Sequence, residues 1–392
     1  MSRRLISRSP DLRQLRDEGY DVEIRGGYLL VHHVPYVTSS KEVAYGTLVC
    51  ELNLANGVTT PPDPHTIRFT ATPCDGEGRR LDRLINDTSR ADLGDGLVVE
   101  ASFSHKPVGS GRYSDYHSKI TTYVAILGRY AAAIDPEATA RTFHVREERE
   151  EGSPFRYPDT ASARAGITAI TAKLSDGKVA IVGLGGTGSH VLDLAAKVPV
   201  AEIHLFDGDR MLDHNAFRGV GATSIESLDG GPNKAEHYAG VYSVMRDGVV
   251  PHPYAVDASN CAELGGMQFV FLAMDPTPAK RAIIEHLEAR GIPFVDTGVG
   301  VNVANEMLGG MVRVTTGLPG RPVSREHWIS LGDAAEANEY APNIQVADLN
   351  ALAAALAVIR WKKLLGFYRD LEGEQQMLYT IDGNTIDNEG SV

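Results

Sequence analysis

The chain has 392 residues, enough for two or three folded units at about 100 to 200 residues each. Its 38 Lys+Arg against 51 Asp+Glu give a formal net charge of −13, which argues against a duplex nucleic-acid binder, since that needs a clustered basic face. Hydrophobic residues at 43% and charged residues at 23% exclude a long disordered chain, and the longest apolar stretch, 351–359, stops at Arg360, too short to cross a bilayer.

The first ten residues carry basic side chains but neither an apolar h-region nor a small-residue cleavage site, so a cytoplasmic protein is expected. Cys50, Cys74 and Cys261 form no C-x-x-C pair, which argues against a disulfide framework and against a thiolate zinc site. Residues 20–37 read as a hairpin turned at Gly26-Gly27, followed by strands at 46–54, 66–72 and 96–104 and a helix over 116–134. These make a smaller α+β domain over 1–152, closed by the charged linker 146–152. Tyr113, Tyr116 and Tyr123 could form an interface or pack into a core.

From 153 to 392 the pattern changes to short β-branched runs alternating with helical stretches, which predicts a doubly wound α/β domain. Strands are expected at 178–183 and 201–207 around a helix over 188–198. After them come a helix from about 233, a strand at 249–257, an apolar run at 267–273, a helix over 278–290 and strands at 292–296 and 307–315. A Gly-, Pro- and acid-rich crossover of about 317–342 then leads to a helix over 347–365.

Gly183, Gly185, Gly186 and Gly188 stand between the first strand and the first helix of this domain, where a tight turn lets a phosphate approach the backbone at a helix N-terminus. Asp207 ends the next strand, where an acidic side chain accepts hydrogen bonds from a ribose. That much would suit an NAD-dependent oxidoreductase. The residues beyond Asp207 discriminate: Asp209, Asn215 and Arg218 come next, then Lys234 at a helix start, and Asp275 just past the apolar strand. Cations placed there suit an enzyme that splits ATP between its α and β phosphates, where charge builds on departing pyrophosphate.

This ordered set resembles the ubiquitin-activating enzymes and their bacterial relatives, the ThiF/MoeB superfamily of adenylyltransferases. The resemblance implies a Rossmann-like doubly wound sheet in which Asp207 holds the ribose with Asp209 beside it, Asn215, Arg218 and Lys234 contact phosphates, and Asp275 supports Mg²⁺. It implies ATP as substrate and adenylation of the C-terminal glycine carboxylate of a ubiquitin-like protein, for transfer to a downstream conjugating enzyme. It further implies a homodimer in which Arg164 reaches the other subunit's nucleotide. Sulfur-carrier activation for a cofactor pathway is the alternative within the class. Plainer readings stay open: Asp209 as a turn residue, Asn215 and Asp275 as helix caps, Arg218 and Lys234 as surface charges.

The chain departs from the family in two ways. Without C-x-x-C pairs no zinc is expected, and the crossover holds no cysteine, so an acyl acceptor there would be a hydroxyl, chiefly Thr315, Thr316 or Ser324, the last with His327 nearby unless it only caps a short helix. Cys261 lies too early in the expected topology for that role. The N-terminal domain resembles the extension on activating enzymes of bacterial ubiquitin-like conjugation operons, which implies recognition or docking.

Overall fold

A computed structural model of the protein describes residues 2–107, 109–144, 153–323, 328–331 and 344–390. The chain forms two compact units, Met1–Ala172 and Lys173–Val392. The division falls beyond the linker expected at 146–152, so the short helix carrying Arg164 belongs with the first unit.

In the first unit, helix α1 (Pro10–Asp17) buries Leu12 and Leu15 completely. Strands β1 (Val22–Arg25), β2 (Tyr28–Val37), β3 (Val43–Glu51), β4 (Ile67–Phe69), β5 (Ile85–Asp87) and β6 (Ala101–Phe103) form one antiparallel sheet in the order β1-β2-β3-β4-β6-β5. The first hairpin turns at Gly26-Gly27 as expected, with both glycines at positive φ, where a Cβ would be strained. Helix α2 (Tyr116–Ala132) is N-capped by Asp115, which accepts from the Ser118 N–H at 2.7 Å. Its residues Tyr116, Ile120, Tyr123 and Leu127 recur at helical spacing and join the core with Leu29, Leu48, Phe69 and Phe103. Of the two readings of the tyrosines the structure takes the packing one: Tyr113, Tyr116 and Tyr123 are buried, and the Tyr116 hydroxyl accepts from the Asn53 N–H at 2.7 Å and donates to the Glu51 carbonyl at 2.9 Å. Helix α3 (Thr160–Ala165) ends this unit's regular structure together with a further turn of helix at Thr168–Thr171.

The second unit is built on an eight-stranded sheet. Strands β7 (Lys178–Val182), β8 (Glu202–Phe206), β9 (Val249–His252), β10 (Phe269–Leu272), β11 (Phe294–Ala304), β12 (Met307–Gly317), β13 (Gln376–Thr380) and β14 (Thr385–Glu389) lie in the order β9-β8-β7-β10-β11-β12-β13-β14. The first five are parallel and the last three antiparallel. Helices α4 (Gly186–Ala196), α5 (Lys234–Tyr242), α6 (Pro278–Arg290) and α7 (Ala347–Leu364) cover it. On β7, Val179 and Ile181 pack with Leu192, Ala195 and Trp361 on one face, while Ala180 and Val182 pack with Ile283 and Leu287 on the other. Burial on both faces is why this strand reads as an unbroken apolar run. β11 and β12 run longer than expected, because their outer halves are glycine-rich and exposed; the C-terminal hairpin was not expected, since every residue of β14 faces solvent. Among the described residues no helix is long and apolar enough to cross a membrane.

Three histidines of this unit, His190 on α4, His237 on α5 and His252 stacked at 4.1 Å on Phe206, have pKa values lowered chiefly by burial. His190 Nε2 is buried without a hydrogen-bond partner. A lowered folded pKa means that the unfolded chain binds protons first as pH falls below about 6.5, so the stability these groups allow is present above that pH and lost on acidification. The melting temperature should fall between pH 7.5 and pH 5.5, and His190→Asn together with His252→Asn should flatten the fall.

Candidate functional site

The glycine segment leaves β7 with its backbone still in register, the Gly183 N–H donating to the Phe206 carbonyl at 2.9 Å. Gly183 has φ +90, and a Cβ there would stand 2.5 Å from the Ala273 carbonyl oxygen beyond β10. A Cβ on Gly188 would meet the Gly183 carbonyl oxygen at 1.9 Å, and one on Gly186 would meet Asn350 Nδ2 at 1.9 Å and the Arg218 carbonyl at 3.1 Å. These three glycines are explained by the protein's own packing. Gly185 is not: a Cβ there would meet nothing within 4 Å, and only its backbone at φ −73, ψ −149, off the wells other residues favour, suits glycine. Gly185 is the N-cap of α4 and offers no side chain to the first-turn N–H groups, which have no intrahelical partners. The helix dipole is left facing open space.

Asp207 sits immediately after β8 and is 8% exposed. Its Oδ2 accepts from the Leu184 N–H at 2.6 Å and its Oδ1 from the Asp209 N–H at 2.8 Å. Burial pushes its carboxyl above the usual carboxylate range, opposed by the Leu184 N–H and by the Lys234 ammonium. Lys234 opens α5 after Asn233, whose side chain caps that helix and donates to the carbonyls of Asp207 and Asp209. The Lys234 ammonium lies 2.8 Å from Asp209 Oδ2 and 4.0 Å from Asp207 Oδ1, and the residue is buried, so it is no surface charge. The Asp209 side chain is largely exposed.

Asn215, also buried, sits in the short helix Asp213–Ala216 and accepts from the Leu212 N–H at 2.9 Å, so it does cap its own turn. Arg218 comes just after that helix. Its Nε is buried without a hydrogen-bond partner, and no ion pair among the described residues includes it. Asp275 is exposed, two residues past Ala273, which packs under Gly183. The structure thus brings Gly183 to Gly188, Asp207, Asp209, Asn215, Arg218, Lys234 and Asp275 to the C-terminal end of one sheet, where open α/β sheets bind ligands. Arg164 lies in the first unit instead, on α3, lining a cavity of about 330 Å³ with Glu51, Asp63 and Pro64. Ser324 and His327 lie outside the described residues. Cys261 opens the 3-10 helix Cys261–Gly266 between β9 and β10, half-buried against the core that holds Leu264.

Two residues of the site were given no role in the sequence reading. Asn350 on α7 is 1% exposed; its Oδ1 accepts from Thr187 Oγ1 at 3.1 Å and its Nδ2 donates to the Arg218 carbonyl at 3.4 Å. Its signal was a single polar residue on the helical stripe that continues through Ala353, Ala354, Ala357 and Trp361. Ser189, fully buried, donates to the Gly186 carbonyl at 2.9 Å and accepts from the Val220 N–H at 3.2 Å. Both pin the Arg218 segment to the glycine turn.

Residues 161–365 match the ThiF family, and residues 10–160 match a domain of unknown function, DUF6791. The chain belongs to the ThiF family. The resemblance drawn from the motifs and the Rossmann-like sheet agrees with that membership. No curated protein matches the chain. Solved structures similar to it include Escherichia coli MccB with ATP, at 18% identity and TM-score 0.47, covering 79% of this chain and 96% of that one. PaaA is similar at 15% identity and TM-score 0.45, covering 87% and 98%. The E. coli tRNA N6-threonylcarbamoyladenosine dehydratase TcdA is similar at 19% identity and TM-score 0.39, covering 53% and 92%.

The contrast between glycines is testable. Gly185→Ser fills only open space, so stability should stay within about 1 kcal/mol of the parent, while the hydroxyl competes for the first-turn N–H groups and should weaken binding of an anion such as pyrophosphate there at least ~10-fold. Gly188→Ala drives a methyl into backbone and should cost about 1–3 kcal/mol in chemical denaturation.

Proposed function

We propose that the ThiF-family domain binds ATP across the N-terminus of α4 and adenylates the C-terminal glycine carboxylate of a ubiquitin-like protein. The observation that carries this reading is Arg218: a cation with a buried, unpartnered Nε, held by Asn350 and Ser189 beside a helix N-terminus that Gly185 leaves open. Leaving such a group unpaired costs free energy that an anionic ligand recovers. A hydride-transfer enzyme has no use for a cation there, whereas pyrophosphate departure does.

In the proposed reaction a carboxylate oxygen of the partner attacks the α-phosphorus, the bond to the α–β bridging oxygen breaks, and pyrophosphate leaves with the electron pair. Arg218 stabilises the charge that develops on it. Lys234, already facing Asp207 and Asp209, holds the two carboxylates apart and orients Asp207 toward the ribose; each carboxylate oxygen retains acceptor capacity after the bonds it makes here. Asp275 would hold Mg²⁺, which supplies positive charge against the phosphates. Among the described residues no group of three or more His, Cys, Asp or Glu could hold a metal alone, and a single exposed carboxylate fits an ion whose other ligands are phosphate and water. The acyl adenylate would pass to a conjugating enzyme. The homodimer, with Arg164 serving a second copy's site, belongs to the same reading.

The protein should catalyse exchange of labelled pyrophosphate into ATP only when its ubiquitin-like partner is present. Arg218→Ala should lower that exchange about 100-fold or more, on the scale of losing one transition-state donor. Binding of NAD with no affinity for ATP would overturn the proposal.

A further inference from the structure

A buried charged cluster lies where the C-terminal end of β10 meets the first residues of β11, apart from the side chains assigned to the nucleotide. Asp296 on β11 is fully buried and contacts two cations, Lys280 Nζ at 2.5 Å and Arg313 Nη2 at 2.7 Å. Arg313 also donates to Thr315 Oγ1 at 2.7 Å, and Thr315 donates onward to Gln376. Lys280 is 1% exposed, and beside its ion pair with Asp296 its ammonium donates a hydrogen bond to the carbonyl of Met274 at 3.2 Å.

Lys280 is an expensive choice for that position. Its ammonium is stripped of water, and as the third residue of α6 it places a cation in the first turn, against the helix dipole. Asp296 already has Arg313, so charge balance does not require it; the trio carries one net positive charge. Nor is a buried ion pair a good source of stability, since apolar residues of similar volume do as well. What an apolar residue could not do is hold the Met274 carbonyl. That carbonyl belongs to the peptide group joining Met274 to Asp275. The residue before it, Ala273, is fixed from the other side, its N–H donating to the Val182 carbonyl at 2.9 Å and its own carbonyl lying under Gly183.

We propose that Lys280 is a positioning residue for Asp275: clamped between Asp296 and the Met274 carbonyl, its ammonium fixes the peptide plane from which Asp275 projects, and so sets where the metal-bearing carboxylate stands relative to the glycine turn. This rests on the reading of Asp275 as the Mg²⁺ residue of an ATP site. Partners that orient a metal ligand change metal-dependent affinity about 10- to 100-fold when removed.

The test is calorimetric ATP binding to the full chain at saturating Mg²⁺ and in EDTA, with melting temperature recorded alongside. Lys280→Met leaves Asp296 paired with Arg313, so the variant keeps a compensated core. It should lose ~10-fold or more of the Mg²⁺-dependent gain in affinity, as Asp275→Asn does, while binding in EDTA is unchanged. Lys280→Arg should restore part of the gain. Thr297→Val, which removes the Thr297 hydroxyl's bond to the Leu272 carbonyl at 3.1 Å on the same strand pair, should lower the melting temperature and leave the gain intact. The proposal is overturned if Lys280→Met keeps the full gain while Asp275→Asn loses it, or if Lys280→Met weakens binding equally with and without Mg²⁺. Should Asp275→Asn itself keep the gain, the assignment of Mg²⁺ to Asp275 falls, and the positioning role with it.

Discussion

Asp207 accepts from the Leu184 N–H on one side and the Asp209 N–H on the other, so one buried carboxylate ties the exit of β7 to the exit of β8. Those two segments would otherwise be loops with unpaired N–H groups at the end of a buried parallel sheet, an arrangement that costs about 1–3 kcal/mol for each orphan. With the carboxylate in place the glycine turn is held before any ligand arrives. The strain of burying a charge appears in the raised pKa of Asp207 and is met by Lys234, which is itself buried for that purpose.

From that joint outward, each further part is fixed by a polar group reaching from an apolar element. Asn350 comes from a helix whose buried face also holds Leu349, three alanines, Val358, Arg360 and Trp361, Ser189 from the interior of α4, and Lys280 from the first turn of α6. Their partners are mostly backbone carbonyls and N–H groups of the glycine turn, the Arg218 segment and the Met274–Asp275 peptide. Rigid helices thereby position three loops without any loop depending on its own length or composition, which is how precise geometry is kept on flexible segments.

The parts of this arrangement visible in the sequence were those with a strong local cause. The strands β7 and β10 are buried on both faces and so stand out as apolar runs, and Gly183, Gly186 and Gly188 are glycines because a Cβ would collide with backbone or with Asn350. The helix at 278–290 was legible to the residue, because Thr277 caps it, Pro278 opens it and Gly291 closes it at φ +65. What stayed hidden was what depends on distant partners. Nothing near Asn350 or Asp296 in the sequence says that they meet the site, because Asn350 reaches Thr187 across 163 positions and Asp296 reaches Arg313 across 17; Lys280 reaches Met274 across only 6, but a lysine in a first helical turn reads as a surface charge. The hairpin β13–β14 escaped because an edge strand made of exposed polar residues lacks the alternation that marks a strand. The three tyrosines of the first unit were ambiguous for the opposite reason: aromatic residues suit cores and interfaces equally, and only the fold chooses.

The central claim is that the N-terminus of α4, opened by Gly185 and flanked by Arg218, is where a nucleotide's phosphates bind. Hydrogen–deuterium exchange of the full chain, with and without ATP, reads this directly. Protection should concentrate in the peptides spanning 183–190 and 215–220, leaving β14 at its unliganded exchange rate. Protection that bypasses 183–190 while appearing elsewhere in the chain would contradict the account.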